Sequence, residues 1–281
     1  MNSTCTSKIL KYLVVSTILV LIAGCVGQQP EQKSTVQPTI AQPKEQPTQK
    51  PTEQPTITQP KEEIMKGETK NIGDGRIYSW IKTKDDKPSA IGVTFNAGIL
   101  KNLSQIDMEY VLNLPDSKFE DIPFKHIGIN WHPKGHIPTG VYNVPHFDFH
   151  FYLIDQQYRN NITDIKLMEK NVSSEYIPSG YVPTPGGEKK MGAHWIDPTS
   201  PEFNNKTFTK TFIHGFYDGK MIFLEPMITL AYLDMKLNTT DQIKLPKEYH
   251  DAGYYPIKYS IKYDDKTNEY TVSLEEMVSR D

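Results

Sequence analysis

Five of the eight histidines fall between His126 and His150. Four of them lie in two runs, Trp131-His132-Pro133-Lys134-Gly135-His136 and Pro145-His146-Phe147-Asp148-Phe149-His150-Phe151-Tyr152. Neutral imidazole is the commonest protein metal ligand and titrates near neutral pH, so this stretch is where chemistry is to be sought first. Proline at 145 is incompatible with a helix interior, and the residues after it alternate aromatic with polar. Residues 146–152 are therefore expected as a strand. Phe147, Phe149 and Phe151 then face a core, while His146, Asp148, His150 and Tyr152 line a site or meet solvent.

Strand geometry limits what these residues can bind. Side chains two apart on a strand leave about 6.6–6.8 Å from each other. One metal can take His146 with Asp148, or Asp148 with His150, but not both histidines of a flat strand. Further donors must come from elsewhere in the chain. Pro133 and Gly135 place His132 and His136 in a tight turn that can fold over the start of the strand. Gly192-Ala193-His194-Trp195-Ile196-Asp197 supplies His194 and Asp197, and Glu225 stands at a strand end before Pro226. The candidate ligands are thus His132, His136, His146, Asp148, His150 and His194, with Glu225 and Asp197 as candidate general bases. Three histidines, a carboxylate and an open position suit zinc, or manganese or iron where oxygen donors are more numerous. A structural network of hydrogen-bonded histidines and a metal-free ligand site fit the same spacing. The isolated His126, His214 and His250 read as structural.

Other catalytic templates are missing from the sequence. It contains no Gly-x-Ser-x-Gly elbow, no P-loop, no Gly-x-Gly-x-x-Gly after a strand and no His-Glu-x-x-His. No basic block argues for nucleic acid.

The elements that must position these residues are mainly strands. Ile91–Phe95 and Met108–Leu114 are β-rich runs. Thr211–Tyr217, Asp218-Gly219 and Lys220–Leu224 form a hairpin signature with a type I′ turn. Tyr255–Tyr263 and Tyr270–Leu274, joined by the polar 264–268, form a second hairpin. Pro226 followed by Met227–Leu233 suggests a short helix with proline at its first position. The Pro- and Gly-bearing stretch from Ile177 to Gly192 must be an ordered loop or a lid. The expected fold is mainly β, a sandwich or distorted barrel with long loops and few short helices, occupying residues 64–281 as a single domain.

The N-terminus reads as an export signal. Lys8 and Lys11 precede an apolar stretch from Tyr12 to Ala23, shorter than the roughly 20 residues of a comfortable membrane span. Leu21-Ile22-Ala23-Gly24-Cys25 matches a lipobox, which makes residues 1–24 a lipoprotein signal peptide and Cys25 the lipidated residue. An uncleaved signal anchor is the alternative. Lipid on Cys25 would hold the protein to the membrane outside the cytoplasm. The only other cysteine, Cys5, leaves with the signal. The mature domain then has no thiol, and any metal site must use His, Asp and Glu. Loss of Lys8 and Lys11 takes the formal charge from −3 to −5.

Residues 25–63 are rich in Gln, Pro and Thr and poor in large apolar side chains, so they are expected as a disordered tether. The mature part holds five Asn-X-Ser/Thr sequons, at Asn102, Asn161, Asn171, Asn205 and Asn238, which are potential glycan acceptors on an exported chain.

The run from Asn130 through Pro138, with Tyr142 and Pro145–Tyr152, resembles an uncharacterised family of exported prokaryotic domains, known chiefly through a Thermus protein under extracytoplasmic sigma-factor control. The resemblance continues through Met191–Trp195 and Asp197, and through Phe212–Leu233. It implies an exported β-rich domain and a homo-oligomer, and it transfers no activity. Three functions stay open: a surface lipoprotein binding a metal or small ligand through the histidine face, a metal-dependent hydrolase or lyase, and a structural envelope component.

Overall fold

The computed structural model describes residues 60–281 except 117, 118 and 120. The signal segment, Cys25 and nearly all of the tether lie outside the described residues. Ile57–Asp281 form one compact unit. Its first strand begins at Glu62, two residues inside the segment read as tether. Among the described residues, no helix is long and apolar enough to cross a membrane.

Two antiparallel sheets face each other as a sandwich, and neither closes into a barrel. The first contains β1 (Glu62–Ile72), β2 (Gly75–Lys84), β3 (Lys87–Asn96), β11 (Thr239–Gln242), β12 (Gly253–Asp264) and β13 (Glu269–Arg280), in the order β1-β2-β3-β13-β12-β11. The second contains β4 (Met108–Asn113), β5 (His126–His132), β6 (His146–Tyr152), β7 (Val182–Pro183), β8 (Ala193–Ile196), β9 (Lys210–Tyr217) and β10 (Lys220–Thr229), in the order β4-β5-β6-β10-β9-β8-β7. Alternation along each strand sends one set of side chains into the space between the sheets. Phe147, Phe149 and Phe151 enter it from β6, Ile127, Ile129 and Trp131 from β5, and Ile91, Val93 and Phe95 from β3. Phe95 stacks on Phe149 at 6.2 Å and Phe212 meets Tyr259 at 4.9 Å, so the sheets touch through aromatic pairs.

Both expected hairpins are present. Asp218 and Gly219 have φ of 53° and 78°, the positive pair that a type I′ turn requires. The 177–192 stretch is ordered, contributing β7 and a bridge from Glu188 to Gly192. The helices are short: α1 (Gln156–Asn160), α2 (Ile165–Met168) and α3 (Leu230–Asp234). They are capped by the side chains of Asp155, Asp164 and Thr229.

The expectation of a helix starting at Pro226 is corrected. The strand runs through Pro226 to Thr229, and the helix begins only at Leu230. Pro226 pairs with Phe212 on β9. On the β6 side, the ladder is unbroken in register but skips Glu225 and Pro226. The missing N–H therefore falls where no ladder bond is made, which is how a strand tolerates proline.

The polar face of β6 is not exposed. Every residue from His146 to Tyr152 is buried. Two apolar clusters cap the outer face of the second sheet. One gathers Tyr152, Ile162, Met168, Tyr217, Ile222 and Phe223, drawing on α2 and the loops beside it. The other gathers Tyr142, Phe208, Ile213 and Met227 from the opposite end. The His–Asp–Glu row lies between them.

Close approach at Gly215 lets the first cluster form. A Cβ there would sit 2.1 Å from the Phe223 ring. Phe223 in turn contacts His150 at 4.8 Å and His194 at 5.5 Å. Gly215→Ala is expected to destabilise the domain by about 1–3 kcal/mol through overpacking, read as a lower denaturation midpoint with an unchanged slope. Stability equal to the wild type would show that the ring can retreat without loss.

Candidate metal centre

Strand pairing assembles the first group of donors. β5 and β6 pair with His132 opposite His146 and Asn130 opposite Asp148, so Asp148 is the diagonal neighbour of His132 on the same face. His132 is the last residue of β5. Its place is therefore set by the ladder, which corrects the expectation that the turn frees it from strand spacing. His136 does come from the turn. The Gly135 N–H donates to the His132 carbonyl at 3.2 Å, and the His136 N–H donates to the Tyr142 carbonyl at 3.2 Å. Gly135 adopts φ of +66°, and a Cβ on it would lie 2.0 Å from the Tyr142 carbonyl oxygen. Only glycine permits that fold-back, which brings His136 over Asp148.

Three imidazoles then turn the same nitrogen inward. His132 Nε2 lies 3.2 Å and His136 Nε2 3.4 Å from Asp148 Oδ2, and His146 Nε2 lies 3.2 Å from Oδ1. The ring centroids are 4.7–5.4 Å apart. Their other nitrogens point outward. His136 Nδ1 meets the Ile137 carbonyl at 2.7 Å, and His146 Nδ1 meets the Val144 carbonyl at 2.6 Å. His132 Nδ1 lies 3.3 Å from Asp107 Oδ1. A carbonyl can only accept, so His136 and His146 carry the Nδ1 proton. Unless they are doubly protonated, their Nε2 lone pairs then face a carboxylate. That arrangement calls for a cation or extra protons between the groups, and it is how metal-ligating histidines are held.

The second group forms across β6, β10 and β8. Leu224 pairs with Phe151 and Met227 with Asp148, which places Glu225 opposite His150. His194 pairs with Gly215 on β9. His150 Nε2 lies 3.3 Å from Glu225 Oε1, and His194 Nε2 lies 3.8 Å from Oε2. One donor atom from each of the three residues lies within 4.8 Å of the others, as holds for His132, His136 and Asp148. Both groups could hold a metal ion.

Burial and charge set their protonation. Burial disfavours a charge on Asp148, but His146, His132 and His136 more than reverse this and hold its carboxyl far below the usual range. Burial also resists protonation of His132 and His136, yet contact with Asp148 raises both. In His146 burial prevails and the pKa is lowered. In the second group, burial drives His150 well below its ordinary value and His194 to about 4. Glu225 is pushed well above the carboxylate range by burial and then by the Asp148 charge.

Five of the six expected ligands fall into one of the two groups, His146 borders the first through Asp148 Oδ1, and Glu225 joins the second as a donor between two histidines. Asp197 does not. Its carboxylate accepts from Lys244 at 2.5 Å and from Thr199 at 2.7 and 3.0 Å. The Asp197 turn directs it to Lys244 on the segment after β11, so its candidacy as a general base is withdrawn. The three isolated histidines are packing residues. His126 stacks on Tyr152 at 4.6 Å, His214 lies between Tyr181 and Phe212, and His250 stacks on Tyr176 at 3.8 Å.

Two features escaped the sequence reading. Asp107 precedes β4, and the pairing of Met108 with Trp131 carries it to His132. Arg159 is fully buried against Glu109 and over the Tyr152 ring, 4.7 Å from its centroid, which supports the row from one end. Both depend on register or loop path, which residue types alone do not reveal. No protein-family model, no curated protein and no solved structure matches the chain.

Proposed function

We propose that the protein is an exported, lipid-anchored surface protein that holds a divalent transition metal on His132, His136, His146 and Asp148. The inward turn of three Nε2 atoms onto one buried carboxylate carries this reading. Histidine and carboxylate donors without thiolate suit zinc, with manganese and iron as alternatives. His146 and Asp148 are buried and His132 nearly so, with His136 the most exposed at one-third. Protein donors therefore surround this position, and such enclosure favours retention of a metal over turnover of a substrate.

The anchor on Cys25, the extracytoplasmic location and membership of the exported family that the histidine run resembles belong to the same proposal. A tether would hold such a metal-binding domain clear of the membrane.

The test uses segment 57–281, which is a compact unit with its own core, purified without a histidine tag and exposed to zinc, manganese and iron. Metal per chain is measured by mass spectrometry. His136→Ala and His146→Ala are each expected to lose about one equivalent relative to the wild type. Equal metal content in the wild type and both variants would remove the proposal.

A further inference from the structure

We infer that His150, His194 and Glu225 form a second metal site, separate from the first and keeping a coordination position open to a small exchangeable ligand. It extends the preceding proposal but rests on its own residues.

A single site cannot use all the donors. His146 and His150 are four residues apart on β6, which is about 13 Å along a strand. The two groups therefore occupy successive positions on one sheet face, with Asp148 committed to the first. The second group is also left unsatisfied by the protein. His150 is 1% exposed and Glu225 2% exposed. Among the described residues, neither ring nitrogen of His150 has a hydrogen-bond partner, and neither does Glu225 Oε2. Unpartnered buried polar atoms are costly. A divalent ion about 2.0–2.2 Å from each donor would satisfy His150 Nε2 and the Glu225 carboxylate together.

The donor count separates the sites. The first has His132, His136 and Asp148 within 4.8 Å of one another, and His146 on the other Asp148 oxygen is the fourth side chain that would complete a tetrahedral shell. The second has three, two imidazoles and a carboxylate, which leaves a position for water or a small anion. His194 is the partly exposed member, with 22% of its side chain accessible, and marks the side from which such a ligand enters. Glu225 is a metal ligand here rather than a general base, because its two oxygens each face a histidine.

Segment 57–281 loaded with cobalt(II), a spectroscopic substitute for zinc, tests this. The wild type is expected to hold two equivalents. Glu225→Gln and His194→Ala are each expected to hold one, and His136→Ala one. Azide is expected to change the visible cobalt spectrum of His136→Ala, where only the second site is filled, and to leave that of Glu225→Gln unchanged. Near-UV circular dichroism identical to the wild type establishes that the nearly isosteric Glu225→Gln is folded.

One equivalent in the wild type, lost in His136→Ala and kept in Glu225→Gln, overturns the second site and leaves the first. Two equivalents with an azide response only in Glu225→Gln overturns the open position. No cobalt in the wild type overturns both sites.

Discussion

Asp148→Ala abolishes the stabilisation that zinc gives through the first site. A metal that binds only the folded chain adds RT ln(1 + [L]/Kd), about 4 kcal/mol when free metal exceeds Kd a thousandfold. Asp148 is the shared partner of His132, His136 and His146 at 3.2–3.4 Å. Its removal takes away the anionic donor and the charge that offsets the metal. The zinc-dependent rise in unfolding free energy is therefore expected to fall by about that amount relative to the wild type. The same substitution in the metal-free protein has a second consequence. The contact that raises His132 and His136 is gone, so burial should lower both below the ordinary histidine value. Chemical denaturation with and without zinc reads the first effect, and proton NMR titration of the histidines reads the second. A zinc response as large as that of the wild type would contradict the assigned role of Asp148.

Acid is expected to unfold the metal-free domain in part through histidines that take no part in the site, beside the buried His146, His150 and His194. His214 is held at about 3 by burial, and His126 at about 4 by burial and then by the charge of Arg159. Among the described residues, neither ring nitrogen of His214 has a hydrogen-bond partner. Both pKa values are depressed in the fold, so the unfolded chain binds protons first as pH falls below about 6.5. The stability these neutral rings contribute is present above that pH and is lost as pH falls towards the folded values. The loss is about 1.4 kcal/mol per pH unit for each histidine, hence about 5 kcal/mol for the pair between pH 6.5 and 4.5.

His214 faces the space between the sheets, against Tyr181 and Phe212 at 4.7 and 5.3 Å. His214→Leu replaces an unpartnered polar ring by an apolar side chain, so its stability at pH 7 should equal or exceed that of the wild type. Its loss between pH 6.5 and 4.5 should be smaller by about 2–3 kcal/mol. Urea titrations at the two pH values measure both. An undiminished loss in His214→Leu would show that His214 does not carry this pH dependence.

The legible part of the fold was whatever depends on local pattern. Asp218-Gly219 announced its hairpin because only a few residues accept two successive positive φ values. The phenylalanine alternation of β6 located the core face correctly. Pro226 misled because proline is a strong local signal for a helix start, whereas its tolerance in β10 depends on a gap in the β6 ladder that only pairing reveals.

The candidate site was legible in its members and not in its grouping. Residue types brought His132, His136, His146, Asp148, His150, His194 and Glu225 onto one list, and strand spacing excluded a single site for His146 and His150. Division into two groups needed three registers: β5 on β6, β6 on β10, and β8 on β9. Asp197 looked equivalent to Glu225 in sequence. Its capture by Lys244 depends on tertiary packing with no local signature.

Zinc-edge anomalous difference density from crystals of the zinc-loaded segment 57–281 tests the central claim most directly. The account predicts a peak about 2.0–2.2 Å from Nε2 of His132, His136 and His146 and from an oxygen of Asp148. Absence of density there, or a peak elsewhere with these four side chains unliganded, would contradict it.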